Sequence, residues 1–384
     1  MSIASPSKIV ENGLAFYYDA TGPRSYVGQP TTNYVTYPLA NWNGSGFALS
    51  YNYANNNVSY TFDTSVLTPR GDFTGVMRYY TGNTDYKYWS IYMSGLSSGT
   101  YAFSYYAKAS VAGGINNSQL WRDSGTDRSV SGDWNPSYTT EWKRYVTVGP
   151  ISVGSYLDYF PIHSGTLTGG VYVYFWGFQL EKLSYATPLA IGTRSNTQGL
   201  LDLTSNTSID LTNAAYDGSG NITFNGTGYF YTSTPVLPLA NGTPLTLIAW
   251  CKPTNLSGWQ TVLGTHASWR QIGFLNSNFY FGGNGGGGNN FISGGSVSNN
   301  NWYMIAMVYD GGTTGYGYLN GTLAASGNIG SNGAQNGAQV IGSYHTGGYE
   351  KFQGSIQKCM VYNRALTAAE IFQNYSAARG AFGL

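Results

Sequence analysis

The chain has 384 residues, and its length predicts two domains of about 150 to 200 residues each. Only 9% of the residues are charged, against about 25% in a typical protein, so uncharged polar groups must cover the surface. The formal net charge of +1 provides no field that would attract nucleic acid or an anionic membrane, and we expect neither as a partner.

The first residues, MSIASPSK, contain no apolar stretch of the kind found in a secretion signal. No window approaches the ~20 apolar residues of a membrane span. We therefore expect a soluble protein that is made in a cytoplasm and not inserted in a membrane. Its many Asn-x-Ser/Thr triplets are then expected to be unmodified.

Short runs of aromatic and β-branched residues recur along the chain and are separated by turns rich in Gly and Asn. They include residues 101–107 (YAFSYYA), 171–176 (VYVYFW) and 245–250 (LTLIAW). Strands of a β-sandwich give this pattern because each strand buries alternate side chains against the opposite sheet.

The glycine-rich stretch 282–290 lacks the Lys and the helix of a phosphate-binding loop. It is interpreted as the tip of a hairpin whose strands end near Phe281 and start near Phe291.

One helix is predicted at the end of the chain. Thr367 and Glu370 have the spacing of a capping box, in which each side chain bonds to the backbone of the other residue. Ile371, Phe372 and Tyr375 form an apolar stripe at helical spacing, which we expect to pack on the edge of a sandwich.

Four segments of the second half together resemble a laminin-G-like, concanavalin A-like lectin sandwich. They are residues 245–253 (LTLIAWCKP), 301–311 (NWYMIAMVYDG), 318–321 (YLNG) and 354–367 (GSIQKCMVYNRALT). Residues 13–20 (GLAFYYDA) with 23–26 (PRSY) are similar to the opening strand of such domains in phage proteins. In those proteins the chain runs straight on to a segment like 201–204, but here about 160 residues intervene.

The intervening stretch resembles a jelly-roll carbohydrate-binding module. The residues that carry the resemblance are 99–108 (GTYAFSYYAK), 141–145 (EWKRY) and 177–188 (GFQLEKLSYATP), the last of a kind common in phage tail modules. The predicted fold is therefore all-β, with a concanavalin A-like lectin sandwich, a jelly roll and one short C-terminal helix. We predict a discontinuous lectin-like domain at 1–29 and 191–384, with the jelly roll inserted at 30–190.

The chain has two cysteines, Cys251 and Cys359, for which reduced and buried thiols are the expected state. The family resemblance suggests that their strands pair, so a disulfide bridge is the minority hypothesis.

Hydrolysis of glycosides needs two carboxyl groups about 5 to 9.5 Å apart. Only five Glu occur, and no Glu-x-Asp or Glu-x-x-Glu pair lies on a strand face. Glu370 is explained as a helix cap, and Glu141 and Glu181 lie inside fold motifs. We predict that the protein is not an enzyme and has no catalytic residues, with a glycosidase as the remote alternative.

No Cys/His cluster predicts a metal site. The loops 123–133 and 217–221 carry oxygen ligands that could accept a structural calcium ion. Asx turns are the favoured interpretation of both loops, and no cofactor is expected.

Glycan binding needs an exposed aromatic ring with hydrogen-bonding groups beside it. Trp142, Trp250 and Trp302 lie in strand motifs where burial is the ordinary explanation. Packing beneath a loop or against another subunit is as good an explanation for the loop aromatics as binding a sugar. The predicted glycan-binding residues lie in loop-like surroundings and are Trp121, Arg122, Trp134, Tyr138, Trp269 and Arg270.

The phage-like opening and closing segments imply a structural protein on the virion surface, either a capsid decoration or an appendage subunit. Its expected partners are other virion proteins, further copies of itself in a homo-oligomer, and host or environmental glycans bound weakly. The alternative is a tail adhesin that recognises a host polysaccharide.

Overall fold

The fold is given by a computed structural model of the chain. It describes residues 8–35, 60–72, 74–80, 89–112, 118–133, 136–152, 156–164, 171–218, 220–237, 242–265, 270–285, 288–331, 338–344 and 349–384. Contacts divide the chain into two compact units. One, the discontinuous unit, comprises Met1–Pro30, Ser195–Asp217 and Asn221–Leu384. The other, the middle unit, comprises Thr31–Arg194 with Gly218–Gly220.

Nearly all regular structure in these residues is β-strand. The strand of the first segment is β1 (Leu14–Asp19). The strands of the middle unit are β2 (Thr31–Thr32), β3 (Tyr60–Asp63), β4 (Val76–Tyr80), β5 (Trp89–Ser94), β6 (Gly99–Ala109), β7 (Ser118–Asp123), β8 (Thr126–Asp127), β9 (Ser131–Gly132), β10 (Lys143–Ile151), β11 (Tyr156–Ser164), β12 (Tyr172–Glu181) and β13 (Thr193–Arg194).

The last part of the chain completes the discontinuous unit. Its strands are β14 (Ile209–Asp210), β15 (Ala215–Tyr216), β16 (Ile222–Asn225), β17 (Phe230–Thr232), β18 (Leu245–Pro253), β19 (Trp259–Thr265), β20 (Gln271–Leu275), β21 (Asn278–Gly285), β22 (Gly288–Ser296), β23 (Tyr303–Tyr309), β24 (Thr314–Leu319), β25 (Thr322–Asn328), β26 (Gln339–Ile341) and β27 (Gln353–Tyr362). Helix α1 (Ala368–Ala378) and a 3₁₀ turn (Arg379–Phe382) follow.

The discontinuous unit is a sandwich of two antiparallel sheets. One sheet has the order β15-β16-β27-β18-β23-β24-β25, with β1 also paired with β27. The other, called here the seven-stranded sheet, has the order β14-β17-β26-β19-β20-β21-β22. Alternate side chains of both sheets, such as Leu247 of β18 and Phe274 of β20, share one buried core.

Strand β18 is apolar on both faces, which explains its unbroken run of hydrophobic residues. Leu247 and Ala249 point into the sandwich core, whereas Ile248 and Trp250 belong to a second cluster that α1 covers. The Trp250 ring stacks on Phe382 at 4.5 Å and on Tyr375 at 5.8 Å between centroids. The C-terminal helix therefore covers the outer face of this sheet, and does not pack on the edge of the sandwich as the sequence predicts.

The predicted capping box is present, but the predicted apolar stripe is partly wrong. Thr367 accepts from the Glu370 backbone, and the Glu370 carboxylate accepts from the Thr367 backbone at 2.9 Å. Phe372 is 55% exposed, and the buried face is instead formed by Ile371, Asn374 and Ala378. Asn374 is tolerated there because its amide donates to the Tyr362 hydroxyl and accepts from Val10 N.

The cap also leads to a testable pH dependence. Arg364 donates two hydrogen bonds to the Glu370 carboxylate, at 2.6 and 2.9 Å, and with the Thr367 amide they lower the pKa of Glu370 to about 2. Because this pKa is depressed from 4.5, the stabilisation is present above pH 4.5 and is lost as the pH falls towards 2. We expect Glu370→Gln to lower the free energy of unfolding by about 1 kcal/mol at pH 7. In urea titrations the difference from wild type should be much smaller at pH 2.5 than at pH 7.

The control for this prediction is Thr367→Ala, whose cost should be less dependent on pH because the hydroxyl does not titrate. A Glu370→Gln difference of equal size at pH 7 and pH 2.5 would contradict the role of the carboxylate charge.

The middle unit is a second sandwich, with sheets β3-β4-β12-β6-β10-β9 and β5-β11-β7-β8 and a separate pair β2-β13. Its core is rich in Tyr, and several of these rings pack while their hydroxyl groups find partners inside. The Tyr105 and Tyr138 hydroxyl oxygens lie 3.0 Å apart, as do those of Tyr159 and Thr147. The predicted all-β class, with two sandwiches and one short C-terminal helix, is confirmed.

The closing segment 177–188 of the middle unit has a structural explanation. The buried Glu181 carboxylate accepts from the Thr187 backbone at 2.9 Å and from the Thr187 hydroxyl at 2.6 Å. Gln179 accepts from the Ala190 backbone at 2.6 Å. The polar residues of this motif therefore hold the chain after β12 against the sheet.

Two further expectations are corrected. Cys251 and Cys359 are free and buried, so the disulfide hypothesis is wrong: the register pairs Cys359 with Ala249, whereas Cys251 is opposite Ile356. The glycine-rich hairpin is longer than predicted, because β21 and β22 stay paired as far as Gly285 and Gly288.

Candidate glycan-binding site

Trp121, the first predicted glycan-binding residue, lies in the core of the middle unit and not in a loop. It is on β7, is 0% exposed and packs edge-on against Tyr159 at 6.0 Å. Its indole donates to the Pro150 carbonyl at 3.0 Å. The expectation of an exposed sugar platform is wrong for this residue, because the opposite sheet covers its ring.

The other predicted residues of the middle unit have different outcomes. Tyr138 is also 0% exposed, with edge-on contacts to Tyr145 and Phe175, so its ring cannot meet a sugar. Arg122 is half-buried on β7, and its Nε lies 2.9 Å from Asp127. Trp134 lies outside the described residues.

Arg270 is a buried structural residue of the discontinuous unit, contrary to prediction. It is 0% exposed and donates to the carbonyls of Ile329 at 2.9 Å and Gly330 at 2.6 Å. Its guanidinium also lies 4.5 Å from the centre of the Tyr309 ring. Trp269, the residue before it, lies outside the described residues.

The structure shows a different aromatic site, a groove of about 360 Å³ on the seven-stranded sheet. Trp259 is 38% exposed, and its ring centroid lies 4.7 Å from that of Tyr280 and 4.9 Å from that of Phe291. We call these three residues the aromatic groove. The remaining lining residues are Leu275, Asn278, Ile292 and Ser293.

Strand register explains how the groove forms. Phe279 and Phe281 point into the sandwich core, so Tyr280 between them must face outward. Tyr280 lies opposite Gly273 on β20 and opposite Ser293 on β22. A Cβ at Gly273 would lie 2.9 Å from the Tyr280 hydroxyl and 2.1 Å from the Gln260 carbonyl, so only glycine leaves room for the Tyr280 ring here.

A polar cluster adjoins the floor of the groove. The Thr261 hydroxyl lies 3.1 Å from the Tyr280 hydroxyl and 2.9 Å from the Glu350 carboxylate. Gln271 donates to the same carboxylate oxygen at 3.4 Å. Burial raises the pKa of the Glu350 carboxyl group above its usual value, and the hydrogen bonds from Thr261 and Gln271 partly oppose this. Thr261, Gln271 and Tyr280 are themselves buried, so these bonds hold the floor of the groove in place. Its accessible surface is formed by Trp259 and by the half-buried Phe291 and Asn278.

The two loops considered for calcium are held by protein contacts. Asp217 accepts from the Asn221 backbone at 3.0 Å and from its side-chain amide at 3.1 Å, which is an Asx-type arrangement. Asp123 accepts from Ser152 N at 2.7 Å and pairs with Arg128. Among the described residues, no group of three or more His, Cys, Asp or Glu side chains is arranged to bind a metal ion.

The described helix, α1, lacks the length and apolar character needed to cross a membrane.

Sequence reasoning missed Trp259 because this residue starts a strand, where burial is the usual expectation for Trp. The only local sign that Trp259 is exposed is the bend at Ser257-Gly258 immediately before it. This bend places the ring at the end of a strand, where fewer neighbouring residues shield it from solvent.

The two antiparallel sheets of the discontinuous unit form a lectin-like β-sandwich. Residues 224–372 match the family model described as the concanavalin A-like lectin/glucanases superfamily. No curated protein matches the chain.

Several solved structures are similar in part. Domain 4 of a GH43 extracellular arabinanase from Geobacillus stearothermophilus, in complex with arabinotriose, is 17% identical, with a TM-score of 0.36; the match covers 47% of this chain and 93% of that one. Trypanosoma rangeli sialidase is 19% identical, with a TM-score of 0.37 and coverage of 47% and 31%. The botulinum neurotoxin serotype G binding domain is 14% identical, with a TM-score of 0.36 and coverage of 46% and 48%. This chain thus spans under half the length of the last two.

Proposed function

We propose that the protein is a non-enzymatic glycan-binding protein on the surface of a bacteriophage particle, and that the aromatic groove holds the sugar. The observation that carries the binding proposal is the exposed Trp259 ring beside Tyr280 and Phe291. Aromatic rings can pack against the C–H face of a sugar, while groups such as Asn278 and Ser293 bond to its hydroxyls. The lectin-like fold of residues 224–372 supports the same proposal.

Substitution of Trp259 tests the binding proposal. We expect Trp259→Ala to weaken binding of a host polysaccharide at least tenfold, because the ring supplies one wall of the groove. Since the ring is 38% exposed, the far-UV circular dichroism spectrum should be retained. Binding would be measured with fluorescently labelled protein on host cells and on their extracted polysaccharide.

The matched control is Phe372→Ala, which removes an exposed aromatic ring from α1, outside the groove. It should bind like wild type. If Trp259→Ala binds as well as wild type, the groove is not the glycan-binding site. If wild type binds neither cells nor polysaccharide, the protein has a passive structural role.

The virion assignment is supported by the resemblance of residues 13–20 and 177–188 to segments of phage proteins. In this proposal the chain is made in the host cytoplasm and assembles, as a homo-oligomer, with other virion proteins. Antibody labelling of purified particles distinguishes the two versions. Label distributed over the capsid indicates a decoration protein, whereas label confined to the tail tip indicates a receptor-binding adhesin.

The absence of hydrolysis is supported by how two carboxylates are used. Glu181 holds Thr187, and Glu370 caps α1 and pairs with Arg364, so neither is available to act on a glycosidic bond. Incubation with host polysaccharide should release no reducing ends. Their release would identify a glycosidase.

A further inference from the structure

Glu350 is held in a fixed position beside Thr261, whose hydroxyl also contacts Tyr280 of the aromatic groove. Its backbone has a φ of +51°, a conformation that non-glycine residues adopt at a cost unless their surroundings impose it. Its carbonyl accepts from the Thr261 backbone at 2.8 Å, and its carboxylate accepts from the Thr261 hydroxyl at 2.9 Å. Backbone and side chain are thus both tied to β19, the strand that carries Trp259.

The carboxylate connects to the floor of the groove through one residue. The Thr261 hydroxyl lies within 3.1 Å of both the Glu350 carboxylate and the Tyr280 hydroxyl. Thr261 and Gln271 both donate to Oε2, and none of the described residues donates a hydrogen bond to Oε1. Oε1 therefore retains the capacity to accept a further hydrogen bond.

No described cation compensates the charge of this carboxylate. None of the ion pairs in the described part of the chain includes Glu350. The ammonium of the next residue, Lys351, lies 5.9 Å from the centre of the Tyr229 ring. A half-buried carboxylate without a cation in contact repels a second anion more strongly than an exposed one would, because less water screens it.

We propose that Glu350 determines the class of sugar that the groove accepts: neutral and amine-bearing glycans are bound, and glycans that carry carboxylate groups are rejected. This inference rests on the proposed function of the groove. Glu350 would accept a hydrogen bond from a sugar hydroxyl or an ammonium group, and the latter bond is strengthened by charge. The carboxylate of a uronic acid in the same place would be repelled by the Glu350 carboxylate. Such repulsion of the wrong ligand is one way in which a site becomes specific.

The test uses three oligosaccharides that differ in charge: a β-1,4-linked glucose oligomer, the corresponding glucosamine oligomer and a glucuronic acid oligomer. Dissociation constants would be measured by titration calorimetry at about pH 6.5, where the amine carries charge and the Glu350 carboxyl is not protonated by excess acid. We expect wild type to bind the glucuronic acid oligomer at least tenfold more weakly than the other two. Glu350→Gln should reduce this difference to less than about threefold, mainly by improving binding of the acidic oligomer.

Three further variants make the outcome unambiguous. Glu350→Asp keeps the charge and suits a positive φ, so it should keep the preference against the acidic oligomer. Glu11→Gln removes an exposed carboxylate elsewhere in the discontinuous unit and should change nothing. Trp259→Ala should weaken binding of every oligomer that binds.

An unchanged preference in Glu350→Gln, with binding still dependent on Trp259, would overturn the role of Glu350 and leave the proposed function intact. If no oligomer binds and host polysaccharide is not bound either, the proposed function fails and this inference fails with it.

Discussion

Replacing Trp121 with alanine is expected to lower the free energy of unfolding of the middle unit by about 3–5 kcal/mol. The ring is fully buried between the two sheets, and its indole donates to the Pro150 carbonyl at 3.0 Å. Truncation removes those contacts and leaves a cavity beside Gly149, where a Cβ would lie 2.7 Å from the Trp121 ring. Urea denaturation would measure the loss, and hydrogen exchange in peptides of β6 and β10 would assign it to this unit.

The matched control for Trp121 is Trp142, a half-buried Trp immediately before β10. Its indole donates to the Leu67 carbonyl at 2.8 Å, and Lys108 lies over its ring at 5.2 Å. Trp142→Ala should cost about 1 kcal/mol, because water already reaches part of the ring. If Trp121→Ala were as stable as wild type and had lost only glycan binding, the burial of Trp121 would be contradicted.

Replacing Arg270 with alanine is expected to destabilise the discontinuous unit by about 2–4 kcal/mol. The substitution leaves the carbonyls of Ile329 and Gly330 without their donors, and a buried polar group left unpaired costs about 1–3 kcal/mol. It also removes the contact between the guanidinium and the Tyr309 ring. Thermal and urea unfolding would measure the effect.

Two other substitutions separate this structural role from a role in binding. Arg270→Lys should recover only part of the stability, because an ammonium group cannot reproduce the planar fork that reaches both carbonyls. Arg122→Ala removes a partly exposed ion pair with Asp127 and should cost less than about 1 kcal/mol. An Arg270→Ala protein of full stability with impaired glycan binding would support the prediction made from sequence instead.

The errors in the predicted site have a common cause. The sequence places Trp121, Arg122 and Asp123 in loop-like surroundings, and the Ser124-Gly125 dipeptide that follows them does form a turn. Strand β7 nevertheless continues to Asp123, with Trp121 and Asp123 pointing inward and Arg122 half-buried between them. An aromatic residue close to a turn can therefore be fully buried, because a strand alternates its faces up to its last residue.

The sequence by itself determined the features whose causes are local. Alternating aromatic and β-branched runs predict strands, and the spacing of Thr367 and Glu370 predicts the capped helix, because neighbouring residues alone satisfy these patterns. The all-β class follows from such patterns, as does the interpretation of Glu370 as a cap.

Only the tertiary structure decided which aromatic rings are covered and which remain open. Trp259, Tyr280 and Phe291 come from three strands, and the register of the seven-stranded sheet brings these three rings together. Glu350 precedes a fourth strand and is held near them by its hydrogen bond with Thr261. The burial of Trp121 and Arg270 likewise depends on groups distant in sequence, Tyr159 for the first and Ile329 and Gly330 for the second. Exposure of a side chain is set by what the opposite sheet places over it, and no pattern within a single strand contains that information.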